Sequence, residues 1–574
     1  EELQPVVAAY EEEKRRAGVL DFVDLLLLTR NLLQRHESVR RSLQQRFTHL
    51  FVDEFQDTDP LQSEIVLLLA ADEPSESRPF HTRSTPGKLF VVGDPKQSIY
   101  RFRRADILLY QRVKAHLVQG GAEEVDLSKS FRSTPGIQGA INGAFEVAMQ
   151  GAIQARWVPL ERARPARTSQ PSVVALPAPQ PFSEYGRPTR GAVEAGVPHA
   201  VGAFIDWLVT KSGWVVEEGG REVPVAPRHV CILFKRMRGW REDDLARPYA
   251  QALEARGVRH VLVGGRSFHR REEVLAVRVA LLAIERPDDE YSVYATLRGP
   301  FYAFTDEQLF SFKQAHGRLH PLRPWPLAEL PDAAREVAEA LTGLGTLHRF
   351  RNRRAVAETV HAFLELTRAH AGVAFWTAGE QALANVLQLA ELTRGYERRA
   401  TSFRDVVEAL EDDAEGGEAP EAPLVEEGTE GVRMMTVHAA KGLEFPVVIL
   451  AEPTAAASRQ EPSHWVDAER GLWVHALAGC VPVELRERED EVKQRDAEEG
   501  LRLMYVAATR ARDLLVVPAC SETQLPGTWT EVLYRSLYPQ AGREHAPQPG
   551  PGCPEFGHDV IEREGPVPMQ VPLP

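Results

Sequence analysis

Cysteine is scarce: the 574 residues hold only Cys231, Cys480, Cys520 and Cys553, far apart and with no CxxC pair. That spacing argues against a zinc knuckle and a disulfide framework. Long apolar runs are missing too; segments such as Leu25–Leu28 are core-sized, against the roughly 20 apolar residues that cross a bilayer. No charged-then-apolar leader opens the chain, which begins at Glu1 within an amphipathic helical pattern. It therefore reads as a fragment, with the cytoplasm as its expected compartment. Positive charge is in deficit, the net being −14. This lowers the expectation of nucleic-acid binding but does not exclude a local basic patch. No internal repeat is visible.

What is present is enough apolar material, 43% of residues, to fill the cores of roughly two to four domains. The runs Phe47–Val52, Leu89–Val92, Val230–Phe234, His260–Val263, Val447–Leu450 and Leu514–Val517 alternate with helical patterns. They read as parallel strands covered on both faces, which predicts an α/β sheet architecture. From about Glu272 to Leu410 the pattern changes to long helices, with Val356, Val360, Phe363 and Leu364 on one face. A helical subdomain inserted into an α/β domain fits that order. Glu411–Gly431 holds nine Asp or Glu with Gly and Pro, and is expected to be a solvated hinge. Pro159–Pro198 is a softer break, and the Pro/Gly-rich stretch Ala541–Pro574 reads as a linker or frayed end.

Two strand ends carry chemistry. The first runs into Asp53-Glu54-Phe55-Gln56-Asp57-Thr58, followed by a helix with Asp59 as N-cap and Pro60 at its first position. Acids at the carboxyl end of a strand face the crevice where α/β proteins bind ligands. One can hold Mg²⁺ and its neighbour can orient and deprotonate water, although an acidic pair before a helix is more often only a cap. The second strand ends in Gly93-Asp94-Pro95-Lys96-Gln97-Ser98-Ile99-Tyr100-Arg101-Phe102-Arg103-Arg104-Ala105-Asp106. Gln97 is placed to touch a γ-phosphate or water, while Tyr100 and Phe102, interleaved with Arg101, Arg103 and Arg104, suit base stacking and phosphate contact. The plainer reading is a turn followed by a solvated basic face.

These two runs resemble motifs II and III of superfamily-one helicases of the UvrD/Rep class. The Pro-Lys pair and the Arg-Phe-Arg ending are closer to the AddA/RecB branch, the exodeoxyribonuclease V beta-like group. Ser130-Phe131-Arg132-Ser133-Thr134 resembles motif IV, Thr436-Val437-His438-Ala439-Ala440-Lys441-Gly442-Leu443-Glu444-Phe445-Pro446 motif V, and Leu503-Met504-Tyr505-Val506-Ala507-Ala508-Thr509-Arg510-Ala511 motif VI. Leu20-Asp21-Phe22-Val23-Asp24-Leu25 is similar to the segment preceding motif II. Their order is more specific than any one of them.

The resemblance implies tandem RecA-like domains, of the P-loop NTPase kind, with the first incomplete and a helical insertion. Residues 1–150 would be the C-terminal part of the first, and 151–271 and 431–540 two segments of the second. Residues 272–430 would be the insertion and acidic hinge, entered near Gly264-Gly265 through Phe268, and 541–574 the tail. It implies an ATP- and Mg²⁺-dependent DNA helicase or translocase moving 3′ to 5′ in double-strand-break repair and recombination. Its partners would be single-stranded and duplex-end DNA and a second subunit of a helicase–nuclease complex. Asp53 would hold Mg²⁺, Glu54 would be the general base, and Gln97 would couple the γ-phosphate to DNA. Arg132 and Arg510 would be arginine fingers and Glu444 would contact the ribose. Tyr100, Phe102, Arg103, Thr436 and His438 would line the DNA track. The ATP-site groups are expected to converge on one cleft.

Each residue has a structural alternative. Arg510 and Arg512 read as cations in the last turn of a helix, favoured there by the macrodipole. His438 could be a loop histidine on a backbone carbonyl. Arg132 precedes a helix capped by Thr134 and Pro135 with the stripe Ile137, Ile141 and Phe145, an end that favours anions, so a bound anion explains it better. The match also has a gap: no GxxxxGK(S/T) phosphate loop occurs in the 574 residues. The chain alone is therefore expected to hydrolyse ATP poorly, and no nuclease-like cluster of acids and lysine stands in Ala541–Pro574. The rival reading is a non-catalytic DNA-binding scaffold subunit of a helicase–nuclease complex.

Overall fold

The computed structural model describes residues 3–538, apart from 152–153, 166–169, 179–188, 238, 240–243, 264–267, 377–378, 399, 417–430, 459–461, 468–469, 478 and 521–524. The Gly264-Gly265 entry, most of the expected acidic hinge and the 541–574 tail lie outside the described residues. The chain is mixed α/β and folds into two compact units, residues 1–252 with 440–574, and residues 253–439.

Two parallel sheets of the first unit carry the candidate site, beside a further short parallel pair, Lys129–Ser130 with Glu161–Arg162. In the smaller, Leu50–Val52 pairs with Leu89–Val91. Val52 and Val91 face inward against Phe55, Leu67 and Val113, whereas Phe51 and Phe90 face outward, their rings tilted by 53° with centres 6.0 Å apart. The expectation of strands covered on both faces fails here: Phe51 is 77% exposed. The following helix, Pro60–Ala70, starts as expected, with a reciprocal capping box between Asp59 and Gln62.

The larger sheet does have both faces covered. Its strands in this unit lie in the order Val173–Pro177, Ala511–Ala519, Phe445–Leu450, Val230–Phe234, all parallel. Every residue of Val230–Phe234 is buried. Val173–Pro177 is a strand inside the stretch expected to be a break, because its Val-Val-Ala-Leu core outweighs the Pro- and Ser-rich flanks. The helix Pro135–Ala148 packs on the strands Ala511–Ala519 and Val173–Pro177. Ser133 Oγ donates to the Ala511 carbonyl at 2.7 Å and the Thr134 N–H to the Arg512 carbonyl at 3.0 Å. Residues from Ser133 onward are thus attached to the larger sheet, ahead of the boundary expected near Gln150. Thr134 stands at the cap position, but its hydroxyl makes no capping bond.

The helix Arg190–Thr210 is long and apolar enough to cross a membrane by length and composition. It carries Pro198, buries eleven residues and packs on Val173–Pro177, as a core helix does.

In the second unit, Val432–Thr436 pairs in parallel with His260–Leu262. The rest of its described residues are mainly helices, including Glu272–Glu285, Asp332–Phe350, Val356–Leu366 and Phe403–Gly416. Their shared core contains Val356, Val360, Phe363 and Leu364, the face expected from periodicity. The acidic stretch is helical as far as Gly416, since Glu411 accepts both Nε (2.9 Å) and Nη2 (2.6 Å) of Arg278.

Just beyond Phe445–Leu450, Glu452 is buried in a left-handed conformation (φ 52°). Its N–H donates to the Tyr249 hydroxyl at 3.1 Å and its carbonyl accepts Trp529 Nε1 at 2.8 Å, but among the described residues its Oε2 has no hydrogen-bond partner. Burial pushes this carboxyl up to about 7. The folded state therefore holds a proton that the unfolded chain releases near pH 4.5, so stability falls as pH rises from there to about 7. Glu452→Gln should match the parent below pH 4.5 and exceed it above pH 7 by on the order of 3 kcal/mol. Urea unfolding across pH measures this; parallel profiles for the two proteins would refute it.

Candidate nucleotide and DNA site

The two strand ends of the smaller sheet are locked together. Phe55 N–H donates to the Val92 carbonyl at 3.0 Å, Asp94 N–H to Gln56 Oε1 at 3.0 Å, and Ser98 Oγ to the Gln56 carbonyl at 3.1 Å. Gly93 suits this approach: a Cβ there would stand 2.9 Å from Gln56 Oε1, so the Gln56 amide would have to move. Glu54 has φ 51°, a left-handed strain on the order of 1–2 kcal/mol for a residue with a Cβ. Its carboxylate accepts Gln56 Nε2, and its N–H donates to Asp53 Oδ1 at 2.8 Å, leaving Asp53 exposed.

Lys441 and Arg510, at two ends of the larger sheet, reach these strand ends, and Arg132 stands close to Arg510. Arg510 is 1% exposed. It is the C-cap of the helix Glu489–Thr509, while Arg512 lies in the strand Ala511–Ala519 and not in the helix's last turn. Arg510 donates Nε to the Val506 carbonyl, Nη1 to the Leu443 carbonyl and Nη2 to Gln97 Oε1, each at 3.1 Å. Gln97 Nε2 donates to Asp94 Oδ2 at 2.9 Å. Among the described residues no carboxylate forms an ion pair with Arg510. Burial, followed by repulsion from Arg132, holds its guanidinium down to about 10, with Glu54 and Asp94 acting the other way. A buried cation lacking a carboxylate fits a bound anion such as a phosphoryl group. Arg132 and Glu444 pair with each other, Nε to Oε2 at 2.7 Å.

Of the residues expected at an ATP site, the structure joins Gln97 to Arg510 and Arg132 to Glu444, and puts Glu54 and Arg132 in the electrostatic field of Arg510. Asp53 sits beside Glu54 and touches none of the others through a hydrogen bond. No cluster of three metal-binding side chains occurs among the described residues, so Asp53 is a lone carboxylate candidate for a cation.

One residue central to the site went unassigned in the sequence. Lys441 donates to Asp57 Oδ1 and to the Gln97 carbonyl, each at 2.6 Å, and lies 4.9 Å from the Tyr100 ring centre. Burial pushes the Asp57 carboxyl up, and Lys441 opposes that shift. Arg502 was missed as well: it donates Nε to the Ser98 carbonyl at 2.8 Å and Nη1 to Gln154 Oε1 at 3.0 Å.

Beside Lys441, Tyr100 and Phe102 meet edge to face at 5.7 Å, and the Arg103 guanidinium stands 5.2 Å from the first ring and 5.7 Å from the second. Phe102 is 63% exposed. Arg101 is committed elsewhere, its Nη1 2.5 Å from Asp496 Oδ1. In the other unit, Thr436 ends its strand and accepts the Ala439 N–H at 3.2 Å, with His438 half-buried in that turn.

The UvrD/REP helicase N-terminal domain family matches residues 1–117, and the UvrD-like helicase C-terminal domain family matches residues 344–522. The chain belongs to the UvrD-like helicases, and the AddA/RecB branch fits it. Among its relatives, proteins named as the A subunit of an ATP-dependent helicase/nuclease from Listeria innocua and Geobacillus thermodenitrificans are each 26% identical, over 88% and 89% of this chain. The namesake from Exiguobacterium sibiricum is 26% identical over 94%. The chain spans 42%, 43% and 46% of those relatives respectively.

Removing Lys441 alone would leave Asp57 half-buried without its cation. Lys441→Met is expected to cost about 3–5 kcal/mol, the range for breaking a buried pair from one side. Adding Asp57→Asn should recover part of the loss. Urea titrations of the single and double variants test this, and a neutral Lys441→Met would show that the pair holds nothing together.

Proposed function

We propose that this chain is the greater part of an ATP-driven DNA helicase or translocase motor of AddA type, built on tandem RecA-like domains with a helical insertion. Arg510 carries the reading: a buried guanidinium that pairs with no carboxylate among the described residues, hydrogen-bonded to Gln97 on the loop that follows the strand Leu89–Val91. Asp53 would hold Mg²⁺, and Glu54 accepts a proton from the attacking water. Arg510 and Arg132 stabilise charge developing on the transferring phosphoryl group, and Glu444 contacts the ribose. When bound, Mg²⁺–ATP supplies the cleavable phosphoanhydride. Gln97 shares Arg510 with the nucleotide side and, through its carbonyl, Lys441 with the aromatic side. That double engagement lets the state of the acidic strand ends reach Tyr100, Phe102 and Arg103, the proposed base-stacking surface, with Thr436 and His438 as further contacts. The proposed direction is 3′ to 5′, in double-strand-break repair within the cytoplasm, beside a second subunit such as the relatives' names imply.

The sequence holds no phosphate loop, and the outward Phe51–Phe90 pair offers an apolar face on which a segment bearing one can pack. The chain alone is expected to show almost no DNA-stimulated ATP hydrolysis. Joined before Glu1 to a relative's phosphate-loop segment, it should become active, and Arg510→Ala should then cut turnover by about 10³-fold or more while sparing DNA binding. A completed, folded protein that binds DNA yet hydrolyses nothing would favour the scaffold reading.

A further inference from the structure

The helix Asp332–Phe350 ends in His348-Arg349-Phe350, and Arg351-Asn352-Arg353-Arg354 follow before the next helix begins at Val356. His348, Arg349, Phe350, Arg351 and Arg353, with Leu322, border an open cleft of about 570 Å³. Two of the basic groups face inward. His348 Nδ1 lies 2.6 Å from the Ile284 carbonyl, and Arg351 bonds Glu285 Oε2 at 2.8 Å and the His348 carbonyl at 2.8 Å. The other three do not. Among the described residues neither Arg349, Arg353 nor Arg354 forms an ion pair, in a protein whose net charge is −14. The Arg353 and Arg354 guanidiniums stand 5.9 and 5.4 Å from the ring of Phe350, which is 42% exposed.

The helix macrodipole accounts for one cation in the last turn, Arg349, but Arg353 and Arg354 lie beyond the helix end. Solvated surface arginines do not need an exposed ring between them. A ring flanked by uncommitted planar forks has the two elements that grip a nucleic-acid strand, a stacking platform and phosphate ligands. We propose that the His348–Arg354 turn is an additional single-stranded DNA contact, in which Arg349, Arg353 and Arg354 engage backbone phosphates and Phe350 stacks a base. This rests on the DNA-motor reading but concerns a surface separate from Tyr100 and Phe102.

The test uses the full chain and a labelled oligothymidylate of about 20 nucleotides, longer than one site of about 4–16. Binding is titrated over a range of salt. Each phosphate contact to a single strand contributes about 0.7 to the slope of log affinity against log salt. The combined Arg349→Gln, Arg353→Gln and Arg354→Gln variant should therefore lower the slope's magnitude by about 2. Phe350→Ala should weaken binding about tenfold at fixed salt. Phe102→Ala is run in parallel. If it weakens binding while the triple variant keeps the parental slope, the turn is not a DNA contact and serves a protein surface. A slope change seen only with a duplex probe overturns the single-strand assignment. If the parent binds no oligonucleotide, the DNA reading itself falls.

Discussion

The ammonium group of Lys441 has left water for a place between the Asp57 carboxylate and the Gln97 carbonyl, with the face of Tyr100 beside it. Burying a charge in this way is costly unless every donor finds an acceptor, and here the acceptors come from the two loops that follow the strands of the smaller sheet. The larger sheet's loop can dock only where the two strand ends are already interlocked. Arg510 repeats the constraint a short way along, satisfied by carbonyls and an amide but by no carboxylate. The contrast matters: Lys441 is electrically complete, and Arg510 is not.

The strain and the close approaches fall on the same few positions. Glu54 occupies left-handed backbone, and Gly93 admits Gln56 where a side chain would collide. Two parallel strands of three residues each would be a weak scaffold by themselves. The side-chain bonds of Gln56 and Asp94, and the packing of Phe55 with Leu67 and Val113, make the pair stiff enough to hold an awkward conformation.

Much of this was legible in the sequence. Alternating apolar runs marked the buried strands of the larger sheet, the helical period marked the core of the second unit, and the motif order singled out Gln97 and Arg510, which the structure joins by a hydrogen bond. What escaped were properties set by distant partners. Lys441 meets Asp57 across 384 positions, and no local pattern reports such a pairing. Val173–Pro177 was hidden because its flanks are rich in turn-formers, while its core is decided by the neighbouring strand Ala511–Ala519. Arg512 was assigned to a helix because periodicity blurs at helix ends, where one residue separates cap from strand.

Gly93 also bears on how the site can move. With no side chain to hold them apart, the loop carrying Glu54 and the loop carrying Gln97 form one rigid jaw, and rotation within it would break several backbone and amide bonds at once. The opposing side, bearing Arg510, grips it at several points: Arg510 bonds the Gln97 side chain, Lys441 bonds Asp57 and the Gln97 carbonyl, and Arg502 bonds the Ser98 carbonyl. Any separation of the two sides has to exchange those bonds together, while Glu54 and Gln97 keep their places within the jaw.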